Sequence, residues 1–241
     1  MRLRTMRTTA WRWILMAWMA VLLGRAAEAL EYPALLQAAS EEADSRGTVT
    51  LFEVPGPKAK AAAKIGAWDD AVALGERTVD GVTWYEVDHP TRAGTAWARG
   101  TDMRPYEDAG SPLMRTIAQI RLAFGNAPEK AKLDLGEPAS EETAEAVGKG
   151  VSITQMEYAG PLDLKLEYVW GLMYAETEGE APFGELRVGD PVEELRDLLG
   201  EPLDEEGDEW TYRPEEHVGA LRFTIRDGRL ARMTYFITYN L

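Results

Sequence analysis

The side chains suited to acid–base or metal chemistry in this 241-residue chain are two histidines and a surplus of carboxylates; there is no cysteine, and so no thiol nucleophile. His89 precedes Pro90 at a turn and His217 sits in an acidic stretch, so both read as surface histidines. Neither has a second histidine at ligand spacing, which argues against a zinc site. A Ser-His-Asp arrangement is not fixed by chain order and stays open on sequence grounds. No glycine-rich phosphate loop of either common spacing occurs. Asp204-Glu205-Glu206-Gly207-Asp208-Glu209 gathers oxygen donors that a hard cation would accept, but lacks the alternating ligand order of a calcium loop and reads as a solvated turn. The expectation is a chain with no catalytic residues, no metal and no cofactor.

Its aromatic residues suggest binding instead. Trp68, Trp84, Tyr85 and Trp97 fall in one stretch of short alternating runs. Trp84 and Tyr85 are neighbours, so on a strand one of them must point outward. Trp84, Tyr85 and Trp97 are therefore candidates for a peptide groove. Trp210, Tyr212 and Tyr235 are a second candidate patch, with packing between structural units as the competing role.

The segments that position these residues follow a leader. Arg2, Arg4, Arg7 and Arg12 precede an apolar run over 13–23, too short to span a bilayer, and Ala27-Glu28-Ala29 offers a small-x-small cleavage site. We therefore expect a signal peptide over 1–29, export to the periplasm or beyond, and no membrane anchor once it is cleaved. The net charge of −15 disfavours nucleic acid and anionic lipid as partners. Residues 30–46 are alanine-rich, with Leu35, Leu36 and Ala39 at a brief helical spacing, and read as a lead-in helix or tail. Residues 47–104 carry closely spaced turn signals between strand-like runs and predict a small β-barrel. A linker over 105–111 ends in Ser111, which predicts a helix cap ahead of Pro112, with Leu113, Met114, Ile117, Ile120 and Phe124 at helical spacing and Gly125 as the stop.

The remainder contains an internal repeat over 112–182 and 183–241. Residues 122–138 align without gaps on 186–202 at an offset of 64, matching Gly125 with Gly189, Asn126 with Asp190, Glu129 with Glu193, Leu135 with Leu199, and Gly-Glu-Pro at both ends. Asn126 and Asp190 are expected to cap short helices, with Glu129 and Glu193 completing capping boxes and Gly136 and Gly200 ending them. Each unit is then a short helix followed by a three-strand meander: 151–158, 162–168 and 172–176 in the first, with a turn at Trp170-Gly171, and 209–213, 221–225 and 230–239 in the second, with an Asp227-Gly228 hairpin turn. The acidic stretch 140–150 reads as a loop or frayed helix. The predicted class is β-rich α+β.

Residues 47–104 resemble the bacterial SH3-like domain. Leu51-Phe52-Glu53-Val54-Pro55-Gly56-Pro57 keeps the family's leucine, glycine and proline while lacking its asparagine and arginine. Lys64-Ile65-Gly66-Ala67-Trp68, Asp80-Gly81-Val82-Thr83-Trp84-Tyr85-Glu86-Val87 and Gly94-Thr95-Ala96-Trp97-Ala98 resemble its later strands. That resemblance implies a non-catalytic module of cell-wall proteins, some of which bind peptidoglycan peptides. The repeat is similar to the unit of β-lactamase-inhibitory proteins and of small outer-membrane-assembly lipoproteins. The residues carrying that likeness are Val188-Gly189-Asp190, Leu199-Gly200-Glu201-Pro202, Trp210-Thr211-Tyr212, Phe223 and Asp227-Gly228-Arg229-Leu230. Together these resemblances imply a non-catalytic exported protein that recognises a protein or a cell-wall peptide; an envelope assembly factor and an accessory protein of cell-wall hydrolysis are the alternatives.

Overall fold

The computed structural model describes residues 30–39, 48–66, 70–146, 151–169, 171–215 and 218–237. The expected signal over 1–29, together with Trp68, Trp170, His217 and Tyr239, lies outside the described residues. The fold is β-rich, with two antiparallel sheets and three helices among those residues.

The first sheet holds β1 (Ala34–Ala38), β2 (Thr48–Phe52), β3 (Ala61–Gly66), β4 (Ala71–Val79), β5 (Val82–Asp88), β6 (Thr95–Arg99) and β7 (Met103–Pro105), in the order β3-β2-β6-β5-β4-β1-β7. It is not the closed barrel expected from its turn spacing. The segment read as a lead-in helix is instead β1, inserted between β4 and β7, and β3 and β7 remain as the two ends. The sequence misled because Ala34, Leu35 and Leu36 are all fully buried. A strand covered on both faces shows no alternation and cannot be told from a helical segment by period. Leu36 enters a small core with Leu51, Ala73, Val87, Ala96, Ala98 and Met103, whereas Leu35 and Val72 enter the larger core of the molecule. Pro105, expected to open a linker, pairs with Leu36. The β4–β5 hairpin turns at Asp80 and Gly81, whose φ angles of +52° and +77° fit a two-residue turn of the primed type.

Helix α1 (Pro112–Phe124) begins as its sequence predicts: Ser111 Oγ accepts a hydrogen bond from Met114 N at 3.2 Å, with Pro112 in the first turn. Met114, Ile117, Ile120 and Phe124 are fully buried, in a core shared with both sheets. Helices α2 (Pro128–Leu135) and α3 (Val192–Leu199) occupy the repeat positions, but their N-caps are Ala127 and Pro191. Asn126 and Asp190 serve otherwise. The Asn126 side-chain amide donates to the Asp70 carbonyl at 3.0 Å, and an Asp190 carboxylate oxygen accepts from Arg187 N at 2.6 Å. The stops hold: Gly136 and Gly200 have φ of +86° and +78°, with ψ near the extended limit, a region essentially confined to glycine.

The second sheet has eight strands, β8 (Ser140–Ala146), β9 (Val151–Tyr158), β10 (Leu164–Tyr168), β11 (Leu172–Thr177), β12 (Asp204–Glu206), β13 (Glu209–Tyr212), β14 (Ala220–Arg226) and β15 (Arg229–Phe236). Their order is β12-β13-β14-β15-β11-β10-β9-β8. A helix followed by a four-strand meander occurs twice, α2 with β8 to β11 and α3 with β12 to β15, because the stretch expected as a loop, 140–150, supplies β8, paired with β9 from Ser140↔Glu157 to Ala146↔Val151. The last strands of the two meanders meet antiparallel at the centre, Ala175 opposite Tyr235 and Thr177 opposite Met233. The two meanders therefore form one sheet, and each Gly-Glu-Pro segment follows the helix that precedes its meander. Both ends of this sheet are acidic, Ser-Glu-Glu-Thr-Ala-Glu-Ala in β8 and Asp-Glu-Glu in β12.

A buried polar chain ties the two sheets through α1. Asp70, just ahead of β4, accepts from Arg121 Nη1 at 2.6 Å and from the Tyr106 hydroxyl at 2.5 Å. Arg121 Nε donates to the Tyr235 hydroxyl at 3.0 Å, and Tyr235 donates onward to the Val218 carbonyl at 3.0 Å. Burial alone would push the Arg121 guanidinium down; Tyr235 and Asp70 outweigh it and hold it above its ordinary value.

Candidate binding surface

Alternation along β5 and β6 separates the expected groove residues. Val87, Ala96 and Ala98 face the small core, with Tyr85 partly buried beside them. Trp84, Glu86 and Trp97 therefore take the other face. Tyr85 does not share a groove with Trp84 and Trp97; burial first, then the charge of Glu76, pushes its phenol up. Trp84 is the covered member of the neighbouring pair, at 3 % exposure.

What covers Trp84 is an arrangement of arginines and aromatic rings. Phe52 meets its ring edge-to-face at 5.4 Å. The Arg99 guanidinium lies 4.7 Å from the centre of the Phe52 ring and 5.3 Å from that of Trp84, and Arg77 lies 5.5 Å from that of Trp97. Sheet register produces these contacts. Arg77 and Arg99 sit opposite Trp84 on its two flanking strands, and Trp97 sits between Glu86 and Phe52. Glu86 is held by the Thr95 hydroxyl at 2.8 Å. Each guanidinium–ring contact contributes about 0.5–2 kcal/mol, depending on its exposure. Phe52, Trp97 and Arg99 remain partly exposed and Arg77 is exposed, so the result is a rigid aromatic surface carrying two positive charges. Phe52, Arg77 and Arg99 were not singled out by sequence. The Asp80-Gly81 turn gave the signal for one of them, because a two-residue turn there fixes Arg77 opposite Trp84.

The second candidate patch is interior. Trp210 is 9 %, Tyr212 2 % and Tyr235 0 % exposed. Trp210 lies under Arg196, at 4.3 Å from its ring centre. Tyr212 donates to the Gly200 carbonyl at 3.1 Å, and its phenol is pushed up to about 12, by burial first. Tyr235 belongs to the Arg121 chain. On the opposite face of the eight-stranded sheet lie two partly exposed rings, Tyr174 opposite Phe236, with Arg222 4.9 Å from the Phe236 ring centre and Glu176 accepting from the Tyr174 hydroxyl at 2.6 Å.

His89 is not a surface residue: it is 3 % exposed, its Nδ1 accepts from Thr91 N at 3.3 Å and its Nε2 has no hydrogen-bond partner among the described residues. Burial, then Arg92 and Lys130, push its imidazole down. The acidic turn over 204–209 forms the β12–β13 hairpin, where Glu205 pairs with Arg196 and Glu209 with Arg222. Among the described residues, no three histidine or carboxylate side chains converge to hold a metal ion, and no helix is long and apolar enough to cross a membrane. No protein-family model, no curated protein and no solved structure matches the chain.

Proposed function

We propose that this is a non-catalytic exported binding protein that recognises a protein or a cell-wall peptide through the Phe52–Trp97 face of its first sheet. The observation that carries the reading is the partly exposed pair Phe52 and Trp97, fixed on a hydrogen-bonded sheet and flanked by two arginines. Aromatic rings on rigid strands supply contact area at small entropic cost, the usual character of a binding centre. The resemblance of 47–104 to wall-associated SH3-like modules and the leader-like first 29 residues support the same reading. The test is retention of partners from envelope extract, and of sacculi, by the protein lacking residues 1–29, beside its Trp97→Ala variant. Loss of retention with unchanged circular dichroism supports the face. A membrane-protein partner assigns an assembly role and sacculi alone a wall role. Muropeptide release above a buffer control would overturn the non-catalytic reading.

A second reading rests on the Tyr174–Phe236 pair, which lies on the solvent side of the central seam of the eight-stranded sheet. Phe236→Ala in the same assay separates the two surfaces.

A further inference from the structure

The charge of the chain is unevenly placed. Residues 106–241 carry thirteen basic and twenty-eight acidic side chains, whereas residues 48–105 carry seven and eight. The two parts also differ in pairing. On the second sheet and its helices, Lys132, Lys165, Arg196, Arg222 and Arg232 each face a carboxylate within 4 Å. Among the described residues Lys64, Arg77 and Arg99 form no salt bridge, although they belong to a strongly acidic protein.

These three cations lie along one row across the strands. Lys64 on β3 is opposite Thr50 on β2. Thr50 and Arg99 are each two residues on from the Phe52–Trp97 pair, which brings Arg99 level with Thr50 on β6. Arg99 is opposite Trp84, and Trp84 is opposite Arg77 on β4. Lys64, Arg99 and Arg77 thus occupy every second strand. Adjacent strands are about 4.8 Å apart, so the cations repeat at about 10 Å, close to the roughly 9.3 Å advance of one three-residue turn of a polyproline II chain, which brings every third side chain to the same side. The next row holds Phe52 and Trp97, with Glu86 tied to Thr95. Arginine stacked on rings keeps its N–H fork free for a carboxylate, the geometry that favours paired hydrogen bonds.

We propose that the ligand of this face is an acidic polypeptide segment in the polyproline II conformation lying across the strands, with a carboxylate at every third residue meeting Lys64, Arg99 and Arg77 and the residues between them packing on Phe52 and Trp97. This rests on the binding-face reading above and reverses what the net charge alone suggests. The overall charge repels anions at long range, and the local row selects one at contact. Such a partner binds more weakly as salt rises, because exposed charges are screened over about 8 Å at physiological ionic strength.

The test is fluorescence anisotropy with a labelled peptide bearing glutamate at every third position and small neutral residues and tyrosines between. It is run beside two others, one with glutamine at those positions and one of the same composition with its glutamates clustered. The spaced glutamate peptide is expected to bind about tenfold more tightly than either. Arg77→Gln and Lys64→Gln, both at exposed side chains, are each expected to weaken it severalfold without loss of fold; Arg99→Gln is expected to weaken it most, read only in protein with native circular dichroism. Equal affinity for the glutamate and glutamine peptides, no measurable binding, or binding indifferent to Arg77→Gln and Lys64→Gln overturns the proposal. A partner retained by the wild type, lost in Trp97→Ala and indifferent to those charge substitutions overturns it while leaving the binding face in place. Self-association that Trp97→Ala abolishes and the peptide does not disperse assigns the face to a second copy, and overturns it as well.

Discussion

Arg121 Nη1 donates to Asp70 Oδ2 at 2.6 Å with both side chains nearly removed from solvent, at 6 % and 12 % exposure. Because Arg121 also holds the Tyr235 hydroxyl, this one pair couples the first sheet to the centre of the second. Removing one partner of such a pair strands the other charge in the interior and costs about 3–5 kcal/mol. Arg121→Met and Asp70→Asn should each lower the free energy of urea unfolding by about that much, and the double variant by clearly less than the sum of the two. Additive losses would mean that the pair is not coupled.

The Gly136 and Gly200 stops make a second expectation separable from packing. A Cβ at either position would meet nothing within 4 Å, so a substitution there acts through backbone conformation alone. Gly200→Ala and Gly136→Ala should each destabilise by about 1–3 kcal/mol. Similar shifts of the denaturation midpoint would support equivalence of the two repeats. An unchanged midpoint at either site would count against the strained stop.

Trp84 and Trp97 share a face and should still respond differently. Trp84 is covered by Phe52 and Arg99, so Trp84→Ala should cost about 3–5 kcal/mol in thermal or chemical unfolding. Trp97 is partly exposed, and Trp97→Ala should cost about 1 kcal/mol while abolishing partner retention. Tyr85→Ala, on the opposite face, should leave retention unchanged in folded protein; loss of retention there would move the site to the other side of the sheet.

His89 predicts an acid-side loss of stability. Its folded pKa lies below the ordinary 6.5, so the unfolded chain binds the proton more readily. Its neutral form therefore contributes stability that is full above about pH 6.5 and declines as the pH falls through the interval down to the folded value. Asp88, whose carboxyl is raised by burial, acts in the opposite sense, so the readout is the difference between the wild type and His89→Asn. The unfolding free energy of the wild type should fall more steeply from pH 7.5 to pH 5 than that of the variant. Parallel curves would rule out the effect.

The parts of the fold legible in the sequence were those where local chemistry and tertiary packing agree. Ser111-Pro112 announced α1; Asp227-Gly228 announced its hairpin; the Gly-Glu-Pro segments marked the stops of α2 and α3. Leu221, Phe223, Ile225, Met233 and Tyr235 face the core as alternation requires. The failures share a cause. β1 is buried on both faces, β8 is polar on both faces, and each lacks the two-residue hydrophobic period that identifies a strand. Asn126 resembled a helix cap because its residue type is right, but its partner is Asp70, fifty-six positions away, and no local pattern encodes that contact. In the candidate site the rings were legible and their partners were not. Trp84 and Trp97 stood out by type, whereas Arg99, an ordinary surface residue in sequence, acquires its role from a register that places it between two rings.

The acidic ends of the eight-stranded sheet have a consequence for how this protein behaves in concentrated solution. The outer edge of a terminal strand presents unpaired amides and carbonyls, a template on which another chain can grow a sheet. β8 and β12 cover that template with glutamate and aspartate, so an incoming copy meets its own charge at either end. Dispersion of the protein therefore depends on the charge along these edges. Added salt screens that repulsion and leaves the strands in place, so light scattering should rise with protein concentration at about 1 M salt and not at low salt. A flat concentration series at high salt, in protein that retains its circular dichroism, would show that the edges are guarded by something other than charge.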